Sequence, residues 1–231
     1  MEIRLRGGDK LSETAHTTDD APATVVTTDG RREAGERTRQ RLIDATRALL
    51  AEHGEADVSL RAITDAADAN VAAVSYHFGS KETLVRAAIE QSIERMSDEQ
   101  IAGLRALEEP SLEQIARAWA RPIVRAVAAS PCPEQVFMRV VGRTLSTCTG
   151  ERRVQVTQQS AAAEDELVAA LARVLPDQDE PALRFRAAAA GSVLNFVTTG
   201  AAGLDGRPAA EIERLLVPVL AGALAGAAAT R

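Results

Sequence analysis

The chain has 231 residues, with 27 Lys and Arg against 33 Asp and Glu, a formal charge of −6 and 45% hydrophobic residues. That hydrophobic fraction excludes a disordered chain, and the few aromatics, Tyr76, Phe78, Trp119, Phe137, Phe185 and Phe196, argue against a β-rich fold. The length fits one large domain or two small ones, and the acidic total gives by itself no sign of nucleic-acid binding.

Residues 1–30 carry six acids against Arg4, Arg6 and Lys10, with neither helical nor alternating apolar spacing, which predicts a disordered tail. No apolar core of signal-peptide length is visible there. From Arg32 onward apolar positions recur three and four apart and no strand pattern emerges, so the fold is expected to be all-α. A first helix over 32–52 has Leu42, Thr46, Leu49, Leu50 and His53 on one stripe, ended by Gly54. Ser59 then sits as the N-cap of a short second helix with Leu60, Ile63 and Ala67 on one face. Asp68, Ala69 and Asn70 make a tight turn, and Val71, Val74 and Phe78 mark an equally short third helix closed by Gly79. Ser80 caps a long fourth helix, with Glu82 in its first turn, running toward Pro110. Arg31, Arg32, Arg37, Arg39, Arg41 and Arg47 make residues 31–47 the one basic stretch. They read either as a solvated face or as an arm that reaches phosphates or the minor groove.

Beyond Pro110 the spacing predicts longer helices over 112–129, 134–147, 152–175, 181–202 and 209–229, separated by Pro131 and Pro133, Gly150, Pro176 and the segment 203–208. The uncharged run 187–204 approaches a membrane span in length, but its Ala, Gly, Ser and Thr content favours a buried helix packed closely on another, and no membrane partner is expected. Cys132 and Cys148 are too few for a disulfide scaffold or a metal framework and suggest a reducing cytoplasm. They flank a predicted helix roughly 20 Å long and cannot bridge while it is intact. His16, His53 and His77 fall in unrelated places, so no metal site and no cofactor is expected. No nucleotide-binding, zinc-protease or nucleophile-elbow motif suggests an enzyme.

Two helices of two turns each cannot bury their apolar faces alone. A helix-turn-helix solves this by packing them on the first helix through Leu42, Leu49, Leu50, Leu60, Ile63, Ala67, Val74 and Phe78, leaving the outer face of the third helix for a DNA major groove. Arg61, Thr64, Asn70, Val71, Ala72, Ala73, Ser75, Tyr76 and His77 remain outside that core. The stretch Ser59-Leu60-Arg61-Ala62-Ile63, and the run from Ala66 to Leu84 with its segment Tyr76-His77-Phe78-Gly79-Ser80-Lys81-Glu82, resemble the DNA-binding domain of TetR-type transcriptional regulators over residues 35–90. The chain departs from the usual pattern where Asp68 replaces Gly in the turn, which Asp tolerates, and where Ala73 replaces Thr and Ser75 replaces Tyr, two changes that shrink the recognition surface.

The resemblance implies a helix-turn-helix DNA-binding domain at 31–80 and a larger helical effector-binding and dimerisation domain at 81–231. It implies a cytoplasmic homodimer on a palindromic double-stranded operator, a repressor released by a small-molecule effector. An activator or dual regulator, and a helical ligand-binding or enzyme domain with a vestigial helix-turn-helix, stay open. In the DNA-binding role, Ser59 either caps its helix or also meets a phosphate, while Arg37 and Arg61 supply charge. Asn70 either reads adenine or caps the third helix, and Val71, Ala72, Ala73 and Ser75 face bases, the first two suited to a thymine methyl. Tyr76 donates to phosphates, and His77 either does so or is a hydrogen-bonded structural histidine. For Lys81, whose charge opposes the dipole at its helix start, a phosphate would suffice as the reason for its place.

Trp119, Phe137, Met138, Phe185 and Phe196 read either as ordinary core or, for a few of them, as the lining of an effector cavity with Arg139, Arg143 and Asn195 as polar anchors. Arg139 and Arg143, four apart, suit the carboxylate or phosphate of an apolar or acidic effector, or else pair with acids such as Glu134 or Glu164. Ala188, Gly191, Ala201, Gly222, Ala225 and Gly226 are expected to let the last two helices approach closely in a four-helix dimer interface.

Overall fold

Apolar residues at helical spacing, punctuated by side-chain caps, set the element order. The computed structural model describes residues 28–53, 58–128, 137–143 and 151–226, with helices and no strands among them. In order they are α1 (Thr28–His53), α2 (Leu60–Ala66), α3 (Val71–Phe78), α4 (Lys81–Arg105), α5 (Leu112–Ala128), α6 (137–143), α7 (Glu151–Val174), α8 (Glu180–Thr198) and α9 (Ala209–Ala225). The predicted tail over 1–27, Gly54, Cys132, Cys148, the flanks of α6 and residues 227–229 lie outside the described residues. α1 begins at Thr28, inside the segment expected to be tail.

The short elements are fixed by local chemistry. The Ser59 hydroxyl accepts from the Ala62 amide at 3.1 Å, the Asn70 carbonyl oxygen from Ala73 at 2.8 Å and the Ser80 hydroxyl from Thr83 at 3.2 Å, so α2, α3 and α4 each satisfy an otherwise orphaned N–H. Between α2 and α3, Asp68 takes φ 48°, a left-handed conformation that its short polar side chain tolerates, and its carboxylate lies 3.6 Å from Arg41. Gly79, at φ 77°, ends α3.

Two regions of core follow. In the head, Leu42, Ile43 and Leu50 of α1 meet Ile63, Val74, Phe78 and Leu84, all at most 8% exposed. In the body, α5 packs on α9 and α7 on α4, burying Leu104, Ile115, Leu167, Leu171, Ile212 and Leu220. Each such side chain contributes on the order of 1.5–3 kcal/mol. Head and body meet where α1 packs on α4. There Gln40 and Gln91 exchange amide hydrogen bonds, Gln40 donating at 3.2 Å and Gln91 at 2.8 Å.

Several expectations change. His53 is exposed, because the stripe on α1 turns out to solvent at the helix end. Thr64 is buried and donates to the Arg61 carbonyl at 3.0 Å, so it leaves the outer surface. α8 stops at Thr198, short of residue 202, because Gly200 at φ 81° turns the chain, and the amide of Gly206 returns to the Val127 carbonyl at 3.2 Å. α4 stops at Arg105 and α9 at Ala225, where Gly226 takes φ 70°. The uncharged run is helical only to Thr198, and no described helix is long and apolar enough to cross a membrane.

Gly142 of α6 shows how tightly the body is closed. A Cβ there would lie 2.5 Å from Thr198 Oγ1, 2.8 Å from the Thr198 carbonyl carbon and 2.9 Å from the Thr199 amide nitrogen. Two of these are backbone atoms, so helix α8 itself must move. Gly142→Ala is expected to cost about 1–3 kcal/mol by overpacking, read as a lowered urea midpoint, and an unchanged midpoint would refute this packing.

Candidate nucleic-acid interface

The caps that shape α2 and α3 also decide which groups remain free. Asn70, Val71, Ala72, Ser75 and Tyr76 are exposed on one face of the α3 unit, with Ala73 and His77 half-buried at its margin. Ser59 and Arg61 flank them from α2, and Lys81 from the start of α4. The structure thus brings together the residues that the sequence singled out. Their polar atoms divide, however. The side chains of Asn70 and Ser59 are engaged as caps, and the Ser75 hydroxyl donates to the Val71 carbonyl at 3.3 Å. Tyr76 is 85% exposed and lies edge-on to His77 at 4.9 Å between ring centroids. His77 is wedged between Tyr76 and α1, since a Cβ on Gly35 would lie 3.8 Å from its Cε1. The free face is therefore a patch of methyl groups around one phenol, suited to thymine methyls and groove shape more than to bidentate pairs.

The ammonium of Lys81 donates to the Val58 carbonyl, which ties the start of α4 to the loop before α2. This supplies an internal reason for a lysine at a helix N-terminus, and two of its three donors remain. Beside it, the Glu82 carboxyl is held below the usual carboxylate range by its own backbone N–H and by the Ser80 hydroxyl. The α1 arginines part into two groups. Arg31, Arg32 and Arg37 are exposed, and Arg37 makes no ion pair among the described residues. Arg39 lies 3.3 Å from Glu36 and 5.6 Å from the Phe78 ring centroid. Arg47 is not on the outer face: its side chain is 15% exposed, 5.6 Å from the centroid of Phe137 and 3.6 Å from Asp44.

The body holds a cavity of about 380 Å³ bounded by α4, α5, α6, α7 and α8. Of the residues expected to line it, Trp119, Met138 and Asn195 do. Phe137 is buried but borders a neighbouring cleft with Arg47 and Arg125. Arg139 is drawn off by Asp205, at 2.8 Å, in the turn after α8. Arg143 is exposed at the end of described α6 and does not line the cavity. Phe185 and Phe196 stand outside it, 77% and 54% exposed on α8. Residues not expected in the cavity complete the wall: Ile93, Ser97 and Gln100 of α4, and Ser160 and Glu164 of α7. The signal for the first three was present as two polar residues inside the stripe Ile93, Ser97, Gln100 and Leu104. Gln100 donates to the Trp119 carbonyl at 2.9 Å, and the indole Nε1 of Trp119 is a buried donor with no partner.

On the outside of the body, Phe185 and Phe196 lie three turns apart on α8, and Leu215 and Val219 one turn apart on α9, forming an exposed apolar face. A Cβ added at Gly191 or Gly222 would meet nothing within 4 Å, so the close approach expected of these glycines does not occur within one chain.

Comparison with known proteins agrees with this geometry. A family described as bacterial regulatory proteins, tetR family, matches residues 42–88, and one described as tetracyclin repressor-like, C-terminal domain, matches residues 117–226. No curated protein matches the chain. Among solved structures, the fatty acid degradation regulator FadR from Bacillus halodurans is similar at 16% identity and a TM-score of 0.63, over 80% of this chain and 95% of that one. The TetR-family regulator SCO4454 from Streptomyces coelicolor gives 18% and 0.60, over 82% and 95%. RolR in complex with resorcinol gives 19% and 0.53, over 83% and 89%. These likenesses share the fold: a small helical head on a larger helical body.

Proposed function

Because the chain belongs to the tetR family of bacterial regulatory proteins, we propose that it is a cytoplasmic homodimeric repressor, not an enzyme, that binds a palindromic operator and is released when a small molecule occupies the body cavity. Helix α4 carries this reading. Its first turn is pinned to the helix-turn-helix through Lys81 and Val58, and three turns on the same helix presents Ile93, Met96, Ser97 and Gln100 to the cavity. A ligand that favours one setting of α4 therefore also favours one setting of the head, which is the differential binding that release from DNA requires.

The DNA-binding unit is assigned to residues 31–80 and the ligand and dimer unit to 81–231. Tyr76 and the methyls of Val71 and Ala72 face the groove, with Ser59, Arg61, His77 and Lys81 at its phosphate edges, while Asn70 serves first as a cap. The exposed apolar face of α8 and α9 supplies the surface a second copy would cover. Resorcinol in the related RolR structure supports a small-molecule ligand here.

Footprinting on the DNA around the chain's own and adjacent genes tests this reading, with a symmetric protected site as the expected result and none as the refuting one. Exposed Arg31, Arg32 and Arg37 in an otherwise acidic chain lead to a second expectation. Operator affinity falls at least about 100-fold between 50 and 200 mM salt, and Arg37→Gln lowers the slope. A salt-independent affinity in a filter-binding series would remove the arginine arm from the interface.

A further inference from the structure

The cavity is lined by the apolar side chains of Ile93, Met96, Trp119 and Met138 together with the neutral polar ones of Ser97, Gln100 and Asn195, and one carboxylate stands among them. The indole Nε1 of Trp119 has no hydrogen-bond partner but is itself covered by protein, so what Trp119 offers the cavity is its ring. Glu164 of α7 is half-buried, with no ion pair or hydrogen bond among the described residues. No Lys, Arg or His joins it in the wall among those residues, so Glu164 sets the sign of the site. Of the two arginines expected to favour an acid, Arg139 is committed to Asp205 and Arg143 is exposed outside the wall.

A half-buried carboxylate without a counter-charge in the wall gains from a cation brought to it, through a charge-assisted hydrogen bond. An acidic ligand would be carried toward a like charge at a cost. The indole face and the methionine sulfurs add a surface that attracts cations.

We propose that the cavity takes an organic cation with an apolar body, its ammonium group facing Glu164 and its body against the ring of Trp119. This rests on the ligand-gated reading above and reverses the acidic effector expected from Arg139 and Arg143.

Trp119 is the single tryptophan of the chain, so its fluorescence reports occupancy of its own wall. The test uses the full chain at pH 7 without DNA and three probes with one shared body: 3-(4-methoxyphenyl)propylammonium, 3-(4-methoxyphenyl)propan-1-ol and 3-(4-methoxyphenyl)propanoate. The ammonium is expected to bind at least tenfold more tightly than the alcohol, with the propanoate weakest, and the same order should appear in thermal shifts. In Glu164→Gln the ammonium falls to within threefold of the alcohol. The proposal is overturned if the propanoate binds best, if Glu164→Gln leaves the ammonium preference intact, or if none of the three binds. Since the comparison among probes uses the unaltered protein, it stands even if the variant folds poorly. A protected operator without the cation preference removes only the ligand assignment, whereas the preference without any protected DNA keeps the assignment and removes the operator reading.

Discussion

Ala72→Glu is expected to lower operator affinity by at least about 100-fold while the protein unfolds at the same temperature or higher. Ala72 is exposed at the second position of α3, so the longer side chain displaces nothing. An acid in the first turn of a helix is favourable by about 0.3–1 kcal/mol, and α3 has none there. The same carboxylate, set between the groove floor and two phosphate backbones, meets like charge and loses its water, at a cost of several kcal/mol. Stability and DNA affinity thus move in opposite directions, which a misfolded variant cannot imitate. Fluorescence anisotropy with the footprinted fragment, beside a thermal melt, reads both. Unimpaired binding with a normal melt would take α3 out of the groove.

The second large effect concerns Leu215 and Val219, 40% and 55% exposed and one turn apart on α9. Changing both to Asp leaves the protomer core untouched, since Leu216, Val217 and Leu220 point the other way and are buried. It places two carboxylates in the face proposed for a second copy, where burial without a partner is prohibitive. Sedimentation is expected to show monomers at concentrations where the parent is dimeric. Operator affinity should fall more than 100-fold, because each head then binds its half-site without the effective concentration of roughly millimolar that tethering supplies. A dimer that survives both substitutions would place the interface on another face.

The head was legible in the sequence because its determinants are local. Ser59, Asn70, Ser80 and Gly79 each act within three or four residues of themselves, and of the alternatives left open at Asn70 and Ser59 the structure shows the cap at both. The body was legible as helices but not as a chamber. The i, i+4 spacing of Arg139 and Arg143 correctly put both on one helix, yet Asp205, which claims Arg139, comes from a distant turn that no local pattern ties to it. Phe185 and Phe196 were read as cavity residues because aromatics are usually buried, and in one protomer they face outward instead. Glu164 was read only as a candidate partner for Arg139 or Arg143, since its position in the wall depends on how α4, α5 and α8 gather around it.

The exchange of amides between Gln40 and Gln91 has a bearing on how the protein can be interrogated. Each side chain gives one N–H to the other and accepts one in return, and Gln40 also donates at 3.1 Å to the Asp44 carboxylate, which lies 3.6 Å from Arg47. The exchange itself contains no ionisable group, so salt and acid reach the seam only through that neighbouring carboxylate. The salt dependence of DNA affinity therefore reports mainly on the exposed arginine arm of the same helix, and only through Asp44 on the joint between the two halves.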